Sequence, residues 1–93
     1  MSALETTALD PLIRLLLSSA DGGATVAELV DEARKDDPPA LASSTNQARW
    51  QVAAALNRIG AQVVHYDDGA EVIRERDGID FVVWHLPGEE APT

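Results

Sequence analysis

The chain contains no cysteine, which excludes disulfides and thiolate metal sites and suits a reducing compartment. No stretch approaches the ~18 apolar residues of a membrane span, so no membrane partner is expected. The N-terminus lacks the basic start and apolar core of a secretory signal, and a cytoplasmic location is expected. Reactive chemistry is equally sparse. No serine sits in a nucleophile elbow and no glycine loop has phosphate-binding spacing. His65 and His85 fall on separate predicted strands, without the i, i+4 pairing or ligand cluster of a metal site. Asp67 and Asp68 read as a turn rather than a carboxylate dyad. Neither enzymatic activity nor a metal or cofactor is expected.

Carboxylates are absent from one long stretch. The 93 residues carry a net charge of −9, from 16 acidic and 7 basic side chains. Residues 1–42 hold eight acids and three bases, and residues 67–93 hold eight acids and two bases. Residues 43–66 hold Arg49 and Arg58 and no acid at all. A uniform acidic excess would repel nucleic acid and favour solubility or a basic partner. Here the mean charge hides a locally cationic segment, and the same segment carries Trp50.

Length permits one domain with a modest core. Residues 1–9 read as a flexible arm, 10–86 as the folded domain, and 87–93 as a disordered tail. The first helix is expected to open at "DPLIRLLL", with Asp10 as cap and Pro11 at the first helical position. Leu12, Leu15, Leu16 and Ser19 follow helical spacing, widened by Ile13 and Leu17. "DGG" at 21–23 ends it. "TVAELVDEARK" carries a T-x-x-E capping box, Thr25 with Glu28, and a stripe of Val26, Leu29, Val30 and Ala33. Asp36, Asp37, Pro38 and Pro39 stop this second helix.

The third helix should open near Thr45, with Ser44 and Gln47 as an S-x-x-Q box, and close at Ile59–Gly60. At 100° per residue, Ala48, Val52, Ala55, Leu56 and Ile59 form its core face. Asn46, Trp50, Ala53, Ala54 and Asn57 fall opposite, flanked by Arg49 and Arg58. After Gly60 the period becomes strand-like in "AQVVHY", "EVIRER" and "DFVVWHL". The "DG" at 77–78 predicts a two-residue hairpin. That register sets Arg74 opposite Phe81, Ile73 opposite Val82, Val72 opposite Val83 and Glu71 opposite Trp84. It also opposes two like charges, Glu75 and Asp80, tolerable at a solvated tip.

Three helices followed by a two- or three-stranded antiparallel sheet give an α+β fold. The order of elements over residues 10–86 resembles the winged helix-turn-helix superfamily. The resemblance implies a third helix entering the DNA major groove and a hairpin wing touching the backbone. Carried over by position, it implies DNA contacts from Asn46, Gln47, Arg49, Asn57 and Arg58 on the helix and from Arg74 and Arg76 on the wing. Three departures stand out: a long connector after the second helix, an extra strand before the wing, and acids Glu71, Glu75, Asp77 and Asp80 around the wing arginines.

Two functional readings follow. The first is a small DNA-binding transcriptional regulator, in which amides read base edges and arginines hold phosphate, working as a homodimer on paired half-sites. The second is an acidic interaction module that binds a basic protein partner instead of DNA, or blocks a nucleic-acid-binding protein. In that reading Trp50, Ala53 and Ala54 form the protein interface, since tryptophan is enriched at binding hot spots. Trp50 packed against Leu41 under the connector would need neither partner. The distinguishing observation is whether Arg49, Arg58, Arg74 and Arg76 form a continuous positive strip or are closed over by carboxylates.

Overall fold

A computed structural model describes residues 2–36 and 41–87. Three helices come first: α1 (Ser2–Ser19), α2 (Val26–Asp36) and α3 (Thr45–Arg58). Four short strands follow: β1 (Gln62–Val63), β2 (Ile73–Arg76), β3 (Ile79–Val82) and β4 (Trp84–His85). The strands form two antiparallel two-stranded sheets, β1 with β4 and β2 with β3.

The first helix differs from the expectation at its start and in its facing. It does not begin at Asp10–Pro11 but runs from Ser2, with Pro11 inside it. An interior proline removes one intrahelical hydrogen bond and costs about 3 kcal/mol. Burial is the compensating term: Leu9, Ile13 and Leu17, spaced i, i+4, i+8, are all at most 3 % exposed. Leu12 and Leu16 pack at the margin of this stripe, while Leu15, expected inside, is 61 % exposed. Asp10 is therefore no cap, and its carboxylate is free to bond elsewhere. The tail expected at 87–93 lies outside the described residues except for Pro87, as do Asp37, Pro38 and Pro39 of the connector.

α1 ends through hydroxyl groups and glycine. Ser18 Oγ and Ser19 Oγ both donate back to the Leu15 carbonyl, at 2.9 and 3.0 Å. Gly23 then adopts φ 92° for a second reason as well as the turn. A Cβ there would lie 2.5 Å from the Trp84 carbonyl oxygen and 2.8 Å from Val83 Cγ1. This close approach lets Ala24 exchange two hydrogen bonds with Trp84: Ala24 N–H to Trp84 O at 2.9 Å and Trp84 N–H to Ala24 O at 2.8 Å. The α1–α2 turn is thereby joined to the sheet.

The predicted capping box at α2 forms in full, and the one at α3 forms in its Ser44 half. Thr25 N–H donates to Glu28 Oε1 at 3.0 Å, and Glu28 N–H donates to Thr25 Oγ1 at 3.1 Å, so the box at the head of α2 is complete. Ala27, Leu29, Val30 and Ala33 are buried along α2. Ser44 Oγ accepts Gln47 N–H at 3.4 Å at the head of α3. Between them, Arg34 secures the connector by donating to Ser43 O (2.8 Å) and Thr45 Oγ1 (3.2 Å). Ala42 N–H donates to Gln51 Oε1 at 2.7 Å.

The β2–β3 ribbon has the expected register: Ile73↔Val82, Arg74↔Phe81, Glu75↔Asp80 and Arg76↔Ile79. Asp77 and Gly78 turn it with φ of 56° and 79°, both positive as a type I′ hairpin requires. Glu71, expected opposite Trp84, instead bridges to His65. Trp84 is taken on one side by Val63 and on the other by Ala24. The exchange happens at three valines: Val64 N–H donates to Val83 O (2.7 Å), Val72 N–H to Val64 O (2.9 Å) and Val83 N–H to Val72 O (3.0 Å). The core gathers Leu9, Ile13 and Leu17 of α1, Leu29 and Val30 of α2, and Val52 and Leu56 of α3, with Leu86 closing one side.

Two glycine substitutions separate conformational strain from steric clash. Gly60 also has positive φ, but nothing lies within 4 Å of a Cβ there. Gly60→Ala is expected to cost about 1–2 kcal/mol, and Gly23→Ala about 3 kcal/mol or more. Urea denaturation midpoints of the two variants check the order.

Candidate interaction surface on the third helix

α3 presents two faces set by its sequence. Ala48, Val52, Ala55 and Leu56 are fully buried, which turns Asn46, Trp50, Ala54 and Asn57 to the exterior. Gln47 is exposed beside them and Ala53 is half-buried. Trp50 is 78 % exposed, the most exposed large apolar side chain among the described residues. The indole does not bury itself beneath Leu41. An exposed tryptophan leaves a large apolar area in water, and burying one on a partner is worth several kcal/mol.

The four arginines assigned to phosphate contact are each held by the chain's own carboxylates. Arg58 meets Asp10 edge-on: Nε donates to both oxygens at 3.1 and 2.9 Å, and Nη2 donates to Oδ1 at 2.7 Å. These bonds raise the Arg58 pKa first, with the charge of Asp10 adding and partial burial opposing. Folding thus favours the charged guanidinium. Its contribution to stability is fully present throughout the neutral range and declines only as pH rises through the elevated pKa in strong alkali.

Arg49 bends away from the outer face. Its guanidinium stands 5.1 Å from the Phe81 ring centroid, a cation–π distance, and Nη2 lies 3.8 Å from the Asp77 carboxylate. Its side chain is only 19 % exposed, and Nε is buried without a hydrogen-bond partner. The helix N-terminal half is in this way clasped against the tip of the β2–β3 ribbon.

The two ribbon arginines face inward. Exposure alternates strictly from Glu71 to Arg76, and Val72, Arg74 and Arg76 occupy the covered side. Arg74 Nη1 donates to Glu28 Oε1 at 2.7 Å and to the Gly23 carbonyl at 3.4 Å. Arg76 pairs with Asp31, and its Nε lies 4.0 Å from Asp77. Glu28 therefore does two jobs, capping α2 and receiving the ribbon. The partners Asp10, Glu28, Asp31 and Asp77 were not singled out in the sequence as arginine partners. The one legible signal was the period of two, which sets Arg74 and Arg76 on the same side as Val72.

The sequence-predicted sites therefore separate into two groups. Asn46, Gln47, Trp50, Ala53, Ala54 and Asn57 share one electrically neutral helix face. Arg49, Arg58, Arg74 and Arg76 are spread over ion pairs that brace α1, α2, α3 and the ribbon, and no strip joins them. Elsewhere, an open depression of about 360 Å³ lies beside α1 and α2, with Glu28, Glu32 and Arg74 at its rim. Among the described residues no group of three or more His, Cys, Asp or Glu side chains could hold a metal ion. No helix among them is long and apolar enough to cross a membrane. Against protein-family models, curated proteins and solved structures, the chain finds no match.

Asp10 and Arg58 stand 48 positions apart in sequence, and their bond fixes the end of α3 against α1. A double-mutant cycle of Asp10→Asn and Arg58→Gln should return a coupling of about 0.5–1 kcal/mol, discounted for solvent screening at a partly exposed site. Chemical denaturation of the four proteins at neutral pH measures it.

Proposed function

We propose that the chain is a winged-helix-shaped protein-interaction module, which docks a protein partner on the outer face of α3 with Trp50 at the centre of the contact. Three features support the winged-helix reading. Three helices precede a two-stranded ribbon. The segment between α1 and α2 pairs with the strand that follows the ribbon, through Ala24 and Trp84. The ribbon tip lies beside α3, where Arg49 reaches Asp77.

One observation carries the choice of partner. Each of the four arginines that the winged-helix resemblance assigns to phosphate is paired with a carboxylate of the same chain, while Trp50 stays in water. Phosphate contacts supply most of the affinity of DNA-binding proteins and set their register on the duplex. A guanidinium already neutralised by its own carboxylate releases few counterions when it meets phosphate. The exposed amides Asn46, Gln47 and Asn57 can bond base edges, but without backbone contacts they have nothing to position them. Apolar area at Trp50, by contrast, is favourable to bury against any surface of matching shape.

The reading predicts a specific pair of results. Random-sequence duplex DNA at about 50 mM salt should show no binding by fluorescence anisotropy. Trp50→Ala should weaken association with a protein partner by about 30-fold or more, the loss typical of a hot-spot aromatic, with an unchanged far-UV circular dichroism spectrum. DNA binding that weakens along a negative log–log salt slope would instead establish the regulator reading.

A further inference from the structure

Resting on that docking reading, we infer that the partner on α3 is a second copy of this chain, related by a two-fold axis that sets the two α3 helices antiparallel. Charge points to this occupant. Each copy carries −9, and exposed carboxylates lie on α2 (Glu32, Asp36), in the turn after β1 (Asp67) and on the ribbon (Glu75, Asp80). Two such bodies repel wherever these surfaces meet. α3 has no acidic residue, and both its arginines are matched, Arg49 by Asp77 and Arg58 by Asp10. Its outer face is a neutral window in an acidic body. A cationic partner would gain nothing by choosing that window over the carboxylates around it. An equally acidic partner has reason to choose it, and the chain itself is such a partner.

Shape gives the same answer. A two-fold contact is isologous: if residue i meets residue j, then j meets i. The α3 face offers a large knob at Trp50 and a small residue one turn later at Ala54. In an antiparallel pair centred on position 52, Trp50 of each copy lies over Ala54 of the other, and Gln47 of each lies beside Asn57. The knob thereby finds its hole twice, and the amides that ring it find hydrogen-bond partners. Small side chains at such crossings allow interaxial distances near the short end of the ~8–10 Å range.

Size sets the strength. The 14 residues of α3 span ~21 Å, and one helix face buries less than the ~1,600 Å² of a standard stable interface. A dissociation constant of the order of 10 µM is expected. Charge sets its salt dependence. Added salt screens the repulsion between two acidic copies, with a Debye length falling from ~8 Å at 0.15 M to ~3 Å at 1 M. The dimer should therefore tighten with salt. Binding to DNA or to a cationic protein would weaken.

Sedimentation equilibrium of the full chain from about 1 to 500 µM, at 50 mM and 1 M sodium chloride, tests this directly. The expected result is a rise from the 9.9 kDa monomer toward twice that mass, at lower protein concentration in 1 M salt. Trp50→Ala should raise the dissociation constant at least tenfold. Ala54→Glu should do the same by setting a carboxylate against the partner's indole. Both positions are exposed, so at about 1 µM, where the wild type is mostly monomeric, both variants should keep its melting curve. A wild-type chain that stays monomeric to 500 µM at both salts overturns the inference, as does a dimer that Ala54→Glu leaves intact. If the chain is monomeric yet a different protein binds it in a Trp50-dependent way, the second copy is wrong and the docking face stands. If random DNA binds and Trp50→Ala changes nothing, both are wrong.

Discussion

Everything on the sheet side of this molecule is positioned by the two reciprocal hydrogen bonds between Ala24 and Trp84. They are possible because Gly23 carries no Cβ where the Trp84 carbonyl and Val83 approach. The pairing joins the α1–α2 turn to β4, and β4 holds β1 on its other side. The β2–β3 ribbon leaves this junction with its covered face toward α2. From there Arg74 reaches Glu28 and Arg76 reaches Asp31. Backbone geometry at one glycine thus decides where two guanidinium groups spend their charge.

That placement governs the electrostatic character of the whole surface. The chain has far more acid than base, so an arginine left at the surface would stand in a field of carboxylates and attract one. Each of the four arginines under discussion sits in a pair linking two elements: α3 with α1, α3 with the ribbon tip, and the ribbon twice with α2. Individually such partly exposed pairs contribute little to stability. Their larger effect is on charge distribution. These four cations lie at the seams between elements, unmatched acids remain at the periphery, and the outer face of α3 is left without an acidic residue.

Much of this was legible in the sequence because it is local. The Thr25–Glu28 box, the Ser44 cap, the inward and outward faces of α3 and the Asp77–Gly78 hairpin register each depend on residues within a few positions of one another. They rest on helical and strand periodicity. The start of α1 was misjudged by the same local logic. Asp10–Pro11 has the chemistry of a helix start, but Leu9 extends the buried stripe of Ile13 and Leu17 by one turn, and packing outweighs the proline. The arginine partners were beyond reach for a different reason. Arg58 and Asp10, or Arg74 and Glu28, lie more than 40 positions apart, and only the tertiary path of the chain shows that they meet. Trp84 illustrates both limits, since hairpin register assigns it to Glu71, whereas two distant segments, Val63 and Ala24, claim it.

The β2–β3 ribbon forms a sheet of its own. It is two-stranded, so β2 and β3 each keep one flank with unpaired backbone groups. An open flank on a strand with isoleucine and valine is a template for adding a further strand from another molecule. Glu75 and Asp80 face each other across the ribbon, a repulsive placement that weakens the hairpin slightly. A second copy adding its ribbon there in matching register would bring its own Glu75 or Asp80 beside them. Charged side chains on an open flank disfavour edge-to-edge addition, here with a small loss of rigidity at the tip.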